Sequence, residues 1–334
     1  MSVRVQVEAL LSIIKEATYN ALEQYETTGV LTPVLDSTEG HPLDQVDDNI
    51  ALKKIISKLE GACEQLCTTL APPSHTIMNR AQDYGWACLQ VAVQLKLADE
   101  LTDKPNGLHV DELAAKVNVN PMKLASILRV LAARHCFREV SPDVFANNRL
   151  SVNIISDTSL AALVDLIADD GQTPATLLPQ YLVDPDYGQS LSMTKALYQY
   201  RRKDQGIPDK TFYERVKTDA SIPDPIIKVM MKAMRSMNTV MGSQAALSAY
   251  PWNNVKSVCD VGSGLGAFSR SLLERFPDVR VVQFDLAPTI AMAEQQWNGA
   301  FADRNEFVSG DFLVDLPIKN CDVYYLRTIL HNCK

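Results

Sequence analysis

Val258-Cys-Asp-Val-Gly-Ser-Gly-Leu-Gly266 is the stretch of this 334-residue chain that decides its fold. An apolar strand predicted over 255–261 runs into three glycines spaced G-x-G-x-G, and Asp260 precedes the first glycine by two residues. Glycine lets the backbone turn sharply and approach a ligand closely. Residues 267–275 predict a helix, so we expect the loop to lie at a helix N-terminus with free N–H groups facing a ligand.

Strands and helices alternate through the remainder of the C-terminal part. We predict strands over 255–261, 279–285, near 307–308 and over 322–326, with helices over 267–275 and 289–297. This alternation is typical of a doubly wound α/β fold with a mostly parallel sheet, in which ligands bind at the carboxyl ends of the strands.

The N-terminal part predicts mainly helices. Helices over 4–26 and 50–70 flank a polar linker over 27–48, and a long helix follows over about 76–101. Helices over 109–117 and 122–134, followed by strands over 137–140 and 144–146, predict a winged helix. Further helices are predicted over 159–168, 174–181, 193–200, 209–217 and 224–247.

Composition narrows the class of protein. The chain is 46% apolar and 22% charged, as globular proteins are, and its net charge of −8 argues against nucleic acid or an anionic membrane as a partner. It shows neither a membrane-length apolar run nor a signal sequence, and its seven scattered cysteines fit a reducing cytoplasm. Cys63 and Cys67 lie one helical turn apart without a nearby histidine, so we expect no metal site.

Two acidic residues near the glycine loop indicate which kind of ligand it would bind. Asp260 repels a pyrophosphate but suits a ligand with a cationic amine. Asp285 ends the second strand of the sheet, where a carboxylate accepts ribose hydroxyls of either NAD or S-adenosylmethionine (SAM). The alternative role for Asp285 is to cap the following helix.

Three later features have a functional and a purely structural interpretation. Asp311 and Phe312 could flank an adenine, or form a polar turn and a core aromatic. His331 follows the last predicted strand and could accept a proton from a phenol or alcohol, or be an ordinary surface histidine. Methionines at 230, 234, 237 and 241 have helical spacing, which is typical of a core and compatible with a pocket.

The ordered set resembles the plant- and fungal-type SAM-dependent O-methyltransferases of the caffeic-acid type. The similar stretches are Asp260-Val-Gly-Ser-Gly-Leu-Gly266, Phe284-Asp-Leu286, Gly310-Asp-Phe312 and Tyr325-Leu-Arg-Thr-Ile-Leu-His331. The resemblance implies an N-terminal arm and linker over 1–72, a winged-helix dimerisation domain over 73–155, a helical connector lining the substrate pocket over 156–250, and a Rossmann-like class I methyltransferase domain over 251–334.

The resemblance also implies a role for each site residue. It assigns cofactor binding to Asp260, Gly262, Ser263, Gly264, Asp285, Leu286, Asp311, Phe312 and Arg327, general-base catalysis to His331, and the acceptor pocket to Met234, Met237 and Asn238. It further implies a homodimer formed through the N-terminal domain, a small aromatic or phenolic acceptor, and catalysis without a metal.

One departure from the family pattern concerns the C-terminus. Related enzymes continue beyond the histidine with further strands and with acidic residues that support the base, whereas this chain ends at Lys334. We therefore expect only the first four strands of the methyltransferase sheet, retained cofactor binding, and little methyl transfer.

The sequence is also compatible with functions other than methyl transfer. A winged-helix DNA-binding regulator would use the helix over 120–134 with Lys123, Arg129 and Arg134, but that helix is strongly apolar and the chain is acidic. A SAM-binding relative that catalyses a pericyclic or dehydration step would keep the same fold and cofactor. An inactive dimeric scaffold would keep the fold and the dimer surface without catalysis.

Overall fold

The computed structural model describes residues 2–44, 49–203, 232–234, 236–237 and 245–330. The chain divides into two compact units, Met1–Asn238 and Thr239–Lys334. Helices and a small antiparallel sheet form the first unit, and a parallel sheet with helices forms the second. The predicted combination of a winged-helix domain and a Rossmann-like domain is confirmed.

Two packed helices form the N-terminal arm: α1 spans Val3–Glu26 and α2 spans Ile50–Leu70. Their N-termini are capped by Ser2, which accepts from the Val5 N–H, and by Asn49, which accepts from the Leu52 N–H. The predicted linker is tied to the winged helix, because Asp44 forms an ion pair with Arg149.

The single helix predicted over 76–101 is wrong. The structure has three helices there: α3 over Pro73–Ala81, α4 over Gly85–Gln94 and α5 over Leu97–Glu100. The first break lies where Asp83 Oδ1 accepts from the Gly85 N–H at 3.1 Å. The second lies at Lys96, whose φ of 53° is left-handed and interrupts the helix.

The winged helix contains β1 (Leu108–His109), α6 (Val110–Val117), α7 (Pro121–Ala133), β2 (Arg138–Ser141) and β3 (Val144–Ala146). Its antiparallel sheet has the order β1-β3-β2, and β1 was not predicted because it is only two residues long. The apolar face of α7 is buried, and its Arg129 forms ion pairs with Glu139 and Asp143. These contacts give α7 a structural role in the domain.

Short helices follow the winged helix. They are α8 (Ser159–Leu166), which continues into a wider π-helical turn over Ile167–Gln172, α9 (Thr173–Ala175), α10 (Leu178–Val183) and α11 (Leu197–Tyr200). The helix predicted over 209–217 and most of the one predicted over 224–247 lie outside the described residues.

The second unit begins with α12 (Ala245–Ala249) and continues with alternating strands and helices. These are β4 (Ser257–Val261), α13 (Ala267–Arg275), β5 (Arg280–Asp285), α14 (Ala287–Trp297), β6 (Asn305–Ser309) and β7 (Val323–Tyr325). The strands are parallel in the order β6-β5-β4-β7. Successive side chains of β4 enter different apolar clusters, Val258 one and Cys259 the other, as in a sheet buried on both faces.

Candidate functional site

The carboxyl ends of the parallel strands bring the predicted cofactor residues of the second unit to one edge of the sheet. β4 ends beside Asp260 and the glycine loop, β5 ends at Asp285, and Asp311 follows β6. Arg327 follows β7 by two residues. This edge is where doubly wound folds bind their ligands.

The backbone of the loop between β4 and α13 requires glycine. Gly262, Gly264 and Gly266 have φ of 71°, 57° and 75°, in the left-handed region. A Cβ on Gly266 would lie 2.1 Å from Gln283 Oε1, and one on Gly262 would lie 2.2 Å from Ile329 Cδ1. The left-handed conformation therefore disfavours a side chain at both positions, and at Gly266 the buried Gln283 and Trp297 side chains also leave no space for one.

The expectation that the N–H groups of the loop are free is wrong for four of its residues. The Gly262 and Ser263 N–H groups donate to the Phe284 carbonyl oxygen at 2.8 and 3.3 Å, and the Gly266 N–H donates to Ser263 O at 3.0 Å. The Gly264 N–H donates to Asp285 Oδ2 at 2.8 Å. A loop with its amides engaged in this way is poorly suited to cradle a pyrophosphate.

Asp285 organises the loop and the start of α14 together. Its Oδ2 accepts from Gly264, its Oδ1 accepts from the Leu286 N–H at 2.7 Å, and the Thr289 side chain adds a further hydrogen bond. Burial raises the pKa of Asp285, and these three donors oppose that rise. A carboxylate has about four acceptor positions, so Asp285 keeps capacity for a ligand hydroxyl.

Asp260 is a buried acid, with 4% of its surface exposed. Its Oδ2 accepts from the Ser269 hydroxyl at 2.6 Å. Burial raises the pKa of Asp260 to about 7; the Ser269 hydrogen bond opposes the rise and the Asp285 charge adds to it. Sequence reasoning missed Ser269, although a serine in the first turn of the helix after the loop faces back toward β4.

The residues after β6 contribute a tight turn against β5. The Gly310 N–H donates to the Asp285 carbonyl oxygen at 2.9 Å, and a Cβ on Gly310 would lie 2.6 Å from the Phe284 ring. Asp311 is half-buried and its Oδ1 accepts from the Leu313 N–H. Phe312 is half-buried and packs on the cluster that contains Phe284.

Three other predicted residues of the second unit are half-buried at this edge. They are Leu286, which precedes α14, Arg327 and Ser263. Burial raises the pKa of the Tyr325 phenol to about 12, and the nearby Arg327 charge opposes that rise. The Ser263 hydroxyl is buried without a hydrogen-bond partner among the described residues.

The predicted base and acceptor pocket are only partly covered by the described residues. His331 and Asn238 are outside the described residues. Met234 and Met237 are helical and half-buried, and they belong to the first unit. Among the described ranges, no cluster of histidine, cysteine and acidic side chains could hold a metal ion. No helix within those ranges is long and apolar enough to cross a bilayer.

The sequence of this chain is similar to known protein domains and to characterised relatives. An O-methyltransferase dimerisation domain matches residues 85–157, and an O-methyltransferase domain matches residues 195–334. The chain is 34% identical to 3-O-methyltransferase 2 of Phanerochaete chrysosporium, covering 97% of this chain and 73% of that protein. It is 30% identical to O-methyltransferase gedA of Aspergillus terreus, covering 82% of this chain and 64% of the relative.

Solved structures share the fold. A crystal structure of OxaC in complex with SAH and oxaline superposes with a TM-score of 0.66 at 15% identity, covering 99% of this chain and 77% of the other. At this identity the likeness supports the fold alone. The chain spans about two thirds to three quarters of the length of these relatives.

Proposed function

This chain belongs to the O-methyltransferase family, and we propose that it binds SAM at the carboxyl edge of the second unit's sheet and methylates a hydroxyl group of a small aromatic acceptor. The observation that carries the proposal is the pairing of two buried or half-buried carboxylates with a glycine loop whose amides are already engaged. This pairing disfavours a diphosphate ligand and favours a cationic ligand with hydroxyl groups.

The residues at the loop fit SAM in charge and in shape. Asp260 is proposed to pair with the cationic amine of SAM, and Asp285 offers acceptor capacity to the ribose hydroxyls. The space beside Gly264 is open, so the backbone of the loop can approach the ligand there. The remaining contacts of the proposed site come from Gly262, Ser263, Gly264, Leu286, Asp311, Phe312 and Arg327. When bound, SAM supplies an electrophilic methyl group to the acceptor oxygen.

The protein's own part in the reaction is to orient the two reactants and to accept a proton. His331 is the proposed general base that takes the proton of the acceptor hydroxyl, since it follows the strand β7 and a neutral imidazole suits that role. Met234, Met237 and Asn238 are proposed to line the acceptor pocket. The match to a dimerisation domain supports a homodimer formed through the first unit.

Methyl transfer from labelled SAM to a panel of phenols and aromatic amines, with His331→Ala as the variant, tests the proposed reaction. The wild-type chain should transfer the methyl group slowly. The variant should bind SAM within about twofold of the wild type, while its transfer rate is lower by roughly 10². Equal rates in the two proteins would remove His331 from the mechanism. Label found only on amine acceptors would overturn the hydroxyl class of substrate.

A further inference from the structure

Trp297 contacts the glycine loop through its indole ring. It is the last residue of α14, 2% exposed, and its indole Nε1–H donates to the Leu265 carbonyl oxygen at 2.9 Å. Leu265 lies inside the loop, between two of the glycines. The indole is therefore bonded to the segment proposed to contact the cofactor, although 32 residues separate the two in sequence.

The surroundings of the indole fix its orientation. The rings of Phe301 and Phe307 meet it edge to face, with centroids 6.2 and 5.7 Å away. The Arg270 guanidinium lies 4.7 Å from the ring centroid. The loop rests directly on the indole, because a Cβ on Gly266 would lie 2.8 Å from Trp297 Cζ2.

We propose that Trp297 is a positioning residue for the cofactor, which holds the loop in its binding conformation; this rests on the proposed SAM site. Two sets of hydrogen bonds hold the loop: its N–H groups donate to Phe284 and Asp285, and its Leu265 carbonyl oxygen accepts from the indole. Without the indole N–H that carbonyl loses its donor, and the loop spends less time in the competent conformation. The apparent Kd rises in proportion to the lost fraction.

Trp252 provides a matched control in the same unit. It is 3% exposed, and its Nε1–H donates to the Ala246 carbonyl oxygen at 2.8 Å. Ala246 lies in α12, outside the glycine loop. Trp252→Phe therefore removes the same kind of hydrogen bond from an equally buried indole, without removing a bond to the loop.

The test compares Trp297→Phe with Trp252→Phe by calorimetric titration of SAM and by thermal unfolding. We expect similar decreases in Tm for both variants, and a Kd raised roughly tenfold for Trp297→Phe alone. A Kd for Trp297→Phe within twofold of that for Trp252→Phe overturns the proposal. Arg270→Ala is the second variant should Trp297→Phe not fold; loss of its contact with the indole should raise Kd about threefold, and an unchanged Kd counts against the proposal.

Hydrogen exchange separates this inference from the proposed function. In the absence of ligand, the Gly264 and Gly266 amides should exchange faster in Trp297→Phe than in Trp252→Phe. A wild-type chain that does not bind SAM refutes the proposed function, and the exchange rates then decide whether Trp297 positions the loop. Equal exchange in the two variants refutes that positioning.

Discussion

Protonation of Asp260 should control the affinity for SAM. A cationic ligand requires the charged carboxylate, but burial favours the protonated form and raises the pKa of Asp260 from 3.8 to about 7. That rise corresponds to about 4 kcal/mol between the two protonation states. The ligand must therefore bring a positive charge close to the Asp260 carboxylate, because the free protein does not stabilise the charged form sufficiently.

The expected pH dependence follows from that pKa. The charged fraction of Asp260 in the free protein is about 0.1 at pH 6 and about 0.75 at pH 7.5, so Kd should fall roughly eightfold over this interval. Calorimetric titration of SAM at both pH values measures the change. In Asp260→Asn the affinity should be weaker and its dependence on pH largely lost. A flat profile in the wild type, or the same slope in the variant, would refute the reasoning.

Protonation of Asp260 should also affect the stability of the ligand-free protein. Because the folded-state pKa is raised, the folded protein keeps a proton that the unfolded chain has lost. The stability contribution of Asp260 therefore falls as pH rises from about 4 to about 7, and Asp260→Asn should lack that part of the decline. Ser269→Ala removes the hydrogen bond that opposes the rise, so it should move the binding midpoint to higher pH.

Further predictions concern the loop and the winged helix. Asp285→Asn places amide hydrogens against a backbone donor and should raise the SAM Kd about 30-fold by titration. Gly266→Ala puts a Cβ 2.1 Å from Gln283 Oε1 and should lower the free energy of unfolding, measured in urea, by about 3 kcal/mol. Gly299 has a similar φ of 77° but open space around it, so Gly299→Ala should lower the free energy of unfolding by only about 1 kcal/mol. Asn148→Ala removes a 1%-exposed amide that bonds several backbone groups and should cost about 4 kcal/mol.

The strands and helices of the second unit were predictable because the residues that end its strands are local signals in the sequence. Apolar strands end at glycine or aspartate, and α13 begins where the glycine loop predicts it. The long helix predicted over 76–101 failed because apolar periodicity continues through Gly85 and Lys96, where capping and a left-handed residue interrupt the backbone. Periodicity records which face is buried and is insensitive to such breaks.

The sequence predicted which residues lie at the strand ends, but not the hydrogen bonds that they form. Glycine spacing and the acids at the strand ends located Asp260 and Asp285 at one edge. The sequence alone did not reveal that the loop amides bond to β5, or that Trp297 bonds to Leu265, since both depend on packing between distant segments.

Calorimetric titration of the purified 334-residue chain with SAM and with NAD, in parallel at pH 7.5, tests the central claim most directly. We predict saturable binding of SAM, weakened by Asp285→Asn, and no measurable binding of NAD. Binding of NAD with comparable or greater affinity than SAM would contradict the assignment, because the engaged loop amides and the two carboxylates would then accommodate a pyrophosphate.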